Sequence, residues 1–165
     1  MVLPHKKRRI AVIGAGICDP NIYELAYQVG QLLAPKAVLY CGGLGGVMEA
    51  AAKGALEANG QTVGILPGPR AEDANPYIQI PVVTDMGQAR NVILVRSAEG
   101  VIAISGGYGT LSEIALSLKM WKPVVGLKTW PNIEGVHYVK TPEEAVEKVF
   151  TLLESPSITA KPNPF

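Results

Sequence analysis

Residues 100–118 read GVIAISGGYGTLSEIALSL. Gly100 to Ile104 is an apolar run of strand length with no polar face, as expected of a strand buried on both sides of a parallel sheet. Ser105-Gly-Gly-Tyr-Gly109 interrupts it, and from about Thr110 to Trp121 apolar residues recur at helical spacing. Strand, glycine loop and helix, in that order, form the repeating unit of a doubly wound α/β sheet.

The same unit recurs on either side. Ile10 to Ile13 ends in Gly14-Ala15-Gly16, and Asp19-Pro20 supplies an N-cap followed by proline at the first helical position. Ile22, Leu25, Ala26, Val29, Leu32 and Leu33 then give a helix one buried stripe, and Pro35 ends it. Ala37 to Tyr40 is the next strand, Gly42-Gly43-Leu44-Gly45-Gly46 the next loop, and the helix after it runs to Ala58 and closes at Asn59-Gly60. Thr62 to Leu66 is a strand, while Tyr77 to Val83, broken by Pro81, is a weaker one suited to a sheet edge. Residues from about Gly87 to Ala98 have helical period. Pro123 to Leu127 and Gly135 to Val139 read as strands, and Thr141-Pro142-Glu143-Glu144 as the capped start of a helix through Leu153. Together these elements predict a three-layer, Rossmann-like, doubly wound and mostly parallel sheet with helices on both faces. It is expected to occupy residues 1–154 as one domain, with a proline-rich tail, 155–165, that is loose or packed on a neighbour.

Composition narrows the function. A chain of 165 residues with 48% apolar content can fill a core without disulfides or metal. Fifteen Lys and Arg against fourteen Asp and Glu leave a net charge of +1, so no strong field draws the molecule to nucleic acid or an anionic membrane. Apolar stretches are cut well short of the ~20 residues a bilayer needs, and the start, MVLPHKKRRIAVIGAG, has no small-residue cleavage site after an apolar core. The expectation is a cytoplasmic protein with neither nucleic acid nor membrane as partner. Cys18 and Cys41 sit in neither CxxC nor zinc-finger spacing, and His5 and His137 lie far apart, so no metal site is expected.

In an open α/β sheet, ligands bind outside the carboxyl ends of the strands, where three glycine groups fall here. Glycine lets the backbone approach a ligand closely, and helix N-termini offer unpaired N–H groups, so the two together make a phosphate cradle. Gly14, Gly16, Gly42, Gly43, Gly45, Gly46, Gly106, Gly107, Tyr108 and Gly109 are the candidate cradle positions. The other reading is that these glycines only make tight turns and let helices pack on strands. Familiar nucleotide fingerprints do not fit: Asp19 stands where GxGxxG needs its third glycine, and no acidic residue ends the second strand to take a ribose. GxxxxGK[ST] and GxSxG are both absent, which removes a P-loop and a nucleophile elbow.

The side chains near this edge each carry two readings. Arg90 is either a solvated arginine or a fork for phosphate. Glu113 and Glu49, each about one turn into a helix after a glycine group, are first-turn acids favoured by the dipole or groups facing a ligand. Thr110 could cap its helix, bond a phosphate, or do both. Cys18 and Cys41 are small core or edge residues, or a sulfur pair following the first two strands. Leu118, Met120, Trp121 and Trp130 are core, or an apolar patch that marks an interface between copies of the chain.

The string Ser105-Gly-Gly-Tyr-Gly-Thr-Leu-Ser-Glu113 resembles the PGGxGTxxE signature of the LOG superfamily, long mislabelled as lysine decarboxylases. Gly42 to Met48 is similar to that family's GGGxxGLM segment, Gly64-Ile-Leu-Pro67 to its strand ending in proline, and Arg90 to its arginine before the signature. The resemblance runs from about Ile10 to Lys128. For enzymatic members it implies hydrolysis of the N-glycosidic bond of cytokinin riboside 5′-monophosphate, with Arg90 and Glu113 catalytic and Gly107, Gly109 and Thr110 on the phosphate. Three positions depart from the LOG strings: Ser105 replaces proline, Ser112 the first of two paired acids, and Asn91 the lysine of an Arg-Lys pair. The chain more closely resembles the molybdenum cofactor carrier branch. That resemblance implies a homo-oligomer, tetramer or dimer, that binds phosphorylated molybdopterin without turning it over and hands it to a molybdoenzyme or a cofactor-biosynthesis protein. A nucleoside monophosphate is the alternative ligand, for a hydrolase or for a nucleotide-sensing module.

Overall fold

In the computed structural model, which describes residues 6–155, seven strands form one sheet. They are β1 (Arg8–Gly14), β2 (Ala37–Cys41), β3 (Gln61–Leu66), β4 (Ile80–Val83), β5 (Gly100–Ile104), β6 (Val124–Leu127) and β7 (Val136–Val139), in the order β4-β3-β2-β1-β5-β6-β7. Every adjacent pair is parallel. Helices α1 (Pro20–Leu33), α2 (Val47–Glu57), α3 (Arg90–Ser97) and α4 (Tyr108–Lys119) make four of the crossovers, β3–β4 and β6–β7 are joined without an α-helix, and α5 (Pro142–Glu154) follows β7. The fold is the Rossmann-like α/β architecture expected from the sequence, parallel throughout rather than mostly so. The reading of a loose or packed tail falls almost wholly on residues 156–165, outside the described residues.

Strand β1 shows why the sheet is covered on both faces. Ile10 and Val12 join Ala26, Val29 and Val149 beneath α1, α2 and α5, whereas Ala11 and Ile13 join Leu94 and Ile114 beneath α3 and α4. Alternate residues of one strand thus enter two cores, and neither set can be polar. The chain winds from β1 outward to β4, then returns to lay β5 beside β1, with Gly14 in register with Ile104. That reversal opens a crevice between the loops leaving β1 and β5, the place where such sheets take ligands.

Element ends differ from the sequence pattern where side chains intervene. Residues just before β4 are held by one hydroxyl rather than by a ladder: Thr62 Oγ1 donates to the Tyr77 carbonyl at 2.7 Å and accepts from Gln79 N–H at 2.9 Å. The strand read from Tyr77 therefore pairs only from Ile80, and Pro81 is tolerated because β4 is an edge. The helix read from Gly87 is a 3-10 turn, Gly87–Ala89, followed by α3. Helix α4 begins earlier than its apolar pattern, with Gly107 as N-cap, since Leu111 N–H donates to the Gly107 carbonyl at 3.0 Å. Thr110 is therefore no cap; it lies inside the first turn, 3% exposed. At the far end of α4, Met120 is buried and Leu118 and Trp130 pack on the α3–α4 core, which leaves Trp121, 49% exposed, as the surface remnant of the apolar cluster.

The caps at Asp19 and Thr141 form as read. Asp19 accepts from Ile22 N–H at 2.9 Å and Thr141 from Glu144 N–H at 3.1 Å, while Glu144 reaches back to Lys140 N–H at 2.8 Å. Thr141→Ala should lower stability by about 1 kcal/mol in urea denaturation, and Thr141→Ser should retain most of it.

Candidate functional site

A cavity of about 300 Å³ lies at the reversal point of the sheet. It brings together Gly14 and Gly16 after β1, Gly42 after β2, Arg90 and Asn91 at the start of α3, and Gly107, Gly109, Thr110 and Glu113 of the β5–α4 unit. Ile13, Ala15, Leu44, Met48 and Gln88 complete the lining. Gln88 escaped the sequence reading; its one signal was its place in the turn leading to Arg90.

Five candidate positions stand outside the lining and serve the loops instead. Gly46 caps α2 at φ +63, where a Cβ would strike the Ala15 carbonyl, the group that accepts from Val47 N–H at 2.9 Å. Gly45 packs against the Gly16 carbonyl, Gly43 against Leu66, and Gly106 against the Thr110 side chain. Tyr108 is 83% exposed and its ring lies 5.6 Å from that of Trp130. Trp130 in turn donates from Nε1 to the Gly107 carbonyl at 3.0 Å, and Thr129 Oγ1 donates to the Ser105 carbonyl at 2.7 Å. These two bonds brace the signature loop from behind, a role that sequence spacing did not reveal.

Gly107, the N-cap of α4, and Gly109, in its first turn, have open space beside their backbone. A Cβ at either would meet nothing within 4 Å, and neither has positive φ. Nothing in the protein's own packing demands glycine there. The amino end of α4 is thus bare backbone facing the cavity, with first-turn N–H groups and the positive end of the dipole open to an anion.

Arg90 is 7% exposed, not solvated. Its Nε donates to the Ile65 carbonyl at 2.7 Å, Nη2 to the Gly42 carbonyl at 3.2 Å, and Nη1 to Asn91 Oδ1. The fork that phosphate would need is largely spent on the protein, so Arg90 acts on the cavity mainly as a held positive charge. Burial lowers its pKa, opposed by Glu113 and Cys41, yet a guanidinium remains protonated.

Glu113 is 6% exposed and lines the cavity from one turn deeper in α4. Among the described residues its carboxyl group makes no hydrogen bond and no ion pair. Burial pushes its pKa up to about 7, with Arg90 pulling the other way from longer range. Beside it, Asn91 and Ser112, two of the positions that depart from the LOG strings, touch each other: Asn91 Nδ2 donates to Ser112 Oγ at 3.2 Å, and Ser112 Oγ donates to the Gly109 carbonyl at 2.7 Å. A neutral pair therefore occupies the place where the LOG pattern has an acid and a lysine.

The sulfurs and remaining acids lie outside the lining. Burial pushes the Cys41 thiol up to about 12, and it packs in the core with Sγ 3.8 Å from the Met48 carbonyl. The Cys18 thiol is also raised, by burial and then by Asp19 and Glu49. Glu49 accepts from the Tyr23 hydroxyl at 3.2 Å. Among the described residues, no group of three or more His, Cys, Asp or Glu is arranged to hold a metal, and no helix is long and apolar enough to cross a membrane.

Between pH 4.5 and about 7 the folded state binds a proton at Glu113 that the unfolded chain has released. Stability contributed by the neutral acid is full below this window and is lost as pH rises through it. Glu113→Gln should match the native chain at pH 4 and exceed it at pH 8 by roughly 1–3 kcal/mol in urea denaturation.

Similarity to known proteins follows the same geometry. The chain is 54% identical over 143 residues to an uncharacterized protein of Archaeoglobus fulgidus, covering 86% of this chain and 93% of that one. The solved molybdenum cofactor binding protein of Rippkaea orientalis is 37% identical with a TM-score of 0.83, covering 91% of this chain and 99% of the other. The molybdenum cofactor carrier protein of Chlamydomonas reinhardtii is 35% identical with a TM-score of 0.82, over 91% of this chain and all of the other. Similarity extends to the cytokinin riboside 5′-monophosphate phosphoribohydrolase LOG7 of Arabidopsis thaliana, 31% identical over 127 residues, covering 72% of this chain and 57% of that longer one. The description of the SLOG cluster4 family matches residues 7–156, from the start of β1 past the end of α5, and the chain belongs to this family of LOG-like proteins.

Proposed function

We propose that the protein binds the molybdenum cofactor, a phosphorylated molybdopterin, without turning it over, and holds it for storage and hand-over. The observation that carries this reading is the bare amino end of α4. Gly107 and Gly109 present backbone amides to the cavity with no Cβ in the way, and Arg90 adds a fixed positive charge nearby. The residues fit the group: amides for the terminal phosphate, Gln88 for a polar ring edge, and Leu44 and Met48 for apolar surface. The neutral Asn91–Ser112 contact favours binding over turnover, because two charges of the LOG strings are missing together. The similar solved structures from Rippkaea orientalis and Chlamydomonas reinhardtii, named as molybdenum cofactor proteins, support the same ligand.

A hydrolase is the second reading, favoured by one observation: Arg90 and Glu113 both line the cavity. There a carboxylate could position water or steady a cationic ribose, beside a fixed guanidinium. The carrier reading expects AMP and isopentenyladenosine monophosphate to stay intact on long incubation. Release of free base that Glu113→Gln abolishes would replace the carrier reading with the enzymatic one.

We infer further that the chain associates with copies of itself. The support is apolar exposure on the surface, with Trp121 at 49% and Ile80, Val83 and Met86 beside the β4 edge at 52%, 44% and 50%. Sedimentation at dilute concentration should show a dimer or tetramer, and a monomer would contradict it.

The binding site itself is tested by Gly109→Val. Since the added side chain starts in open space, its melting temperature should stay near the native value while retention of the cofactor falls at least tenfold. Unchanged retention would remove the amino end of α4 from the site.

A further inference from the structure

We propose that Glu113 meets the anionic ligand as the neutral acid, donating its proton to a ligand oxygen, so that the ligand and one proton enter the cavity together. The inference rests on the reading of the bare α4 terminus as an anion site.

The geometry leaves few alternatives. Glu113 is 6% exposed, its carboxyl group makes no hydrogen bond or ion pair among the described residues, and it lines the same cavity as Gly107 and Gly109. Arg90 cannot swing over to neutralise it, because its Nε, Nη1 and Nη2 are already committed to Ile65, Asn91 and Gly42. Arg90 and Glu113 are the charged side chains in the lining, so the cavity is neutral when Glu113 is ionised and carries one positive charge when it is protonated. An ionised carboxylate on the buried Glu113 and a phosphate oxygen sharing a cavity of about 300 Å³ repel each other. A protonated carboxyl group removes that repulsion and adds a donor.

The other elements packed on α4 supply nothing that changes this balance. From α3, Arg90 faces Glu113, while Arg96 is in the last turn, at the opposite end of the helix. From β1, Arg8 and Arg9 lie at the amino end and are engaged with Glu99. Strands β5 and β6 carry no titratable side chain. Beyond them, the Cys41 thiol after β2 acts weakly through space and stays protonated. The upward displacement of the Glu113 pKa to about 7 means that proton uptake costs little near neutrality.

The test uses sulfate, whose charge is constant across the range studied, with the full chain in isothermal titration at pH 6 to 8.5 in two buffers of different ionisation enthalpy. Sulfate affinity should be flat below about pH 7 and fall about tenfold per pH unit above it, as one-proton linkage requires. Proton uptake should rise from near zero at pH 6 to near one at pH 8. Glu113→Gln, which keeps a donor without a titrating proton, should bind within about threefold of the native chain at pH 6, and equally at pH 8, with no uptake. Gly109→Val should abolish binding in both backgrounds. Native binding with constant affinity and no uptake, lost in Gly109→Val, would overturn the role of Glu113 and leave the anion site standing. Uptake that persists in Glu113→Gln would overturn it as well. No sulfate binding by the native chain at pH 6 would overturn the anion site and this proposal with it.

Discussion

The guanidinium of Arg90 ties together the rim on which everything else is built. A buried cation is tolerated only when its N–H groups are satisfied, and here they are satisfied by the carbonyl of Ile65 near the end of β3, by the one that opens the glycine loop at Gly42, and by Asn91 Oδ1. Gly42 follows the last residue of β2, and Ile65 lies one residue past the end of the β2–β3 ladder. One side chain on α3 thus closes the hydrogen-bond accounts of two strand ends and sets the separation between α3 and the loop after β2. Glycine at 42 belongs to the same contact, since a Cβ there would sit 2.6 Å from Arg90 Nη2.

From this tie the electrostatics of the cavity follow. Because Arg90 is spent on the backbone, its charge is fixed in place while its donors are largely withdrawn from solvent. Glu113, facing it across the cavity without touching it, feels burial more strongly than attraction and is poised near neutrality. The Asn91–Ser112 contact carries no charge into this balance. Two carboxylates and a lysine beside Arg90 would set a different field, so the substitutions bear on chemistry as much as on packing.

The order of elements was legible in the sequence because each depends on local signals: apolar strands, Asp19 and Thr141 at helix starts, and glycine at the breaks. The place of the cavity was legible too, since a parallel sheet that reverses direction has its crevice at the carboxyl ends of the strands on either side. The division of labour among the glycines was not. Gly46 and Gly109 look alike in a string, yet one is fixed by the Ala15 carbonyl and the other by empty space, a difference made wholly by distant neighbours. The same holds for Arg90: its fork could serve a ligand or the backbone, and only the arrival of β3 decides. Of the two readings of Thr110, the cap fails because the helix starts on backbone alone, with Gly107 needing no side chain to begin it.

The indole of Trp130 has a hydrogen bond to the carbonyl of Gly107, whose own amide belongs to the rim that faces the cavity. Indole emission responds to the strength of such a bond and to the field around the ring. An anion held as proposed would lie one peptide unit from this bond, and indole emission would then report occupancy of the cavity without a dye.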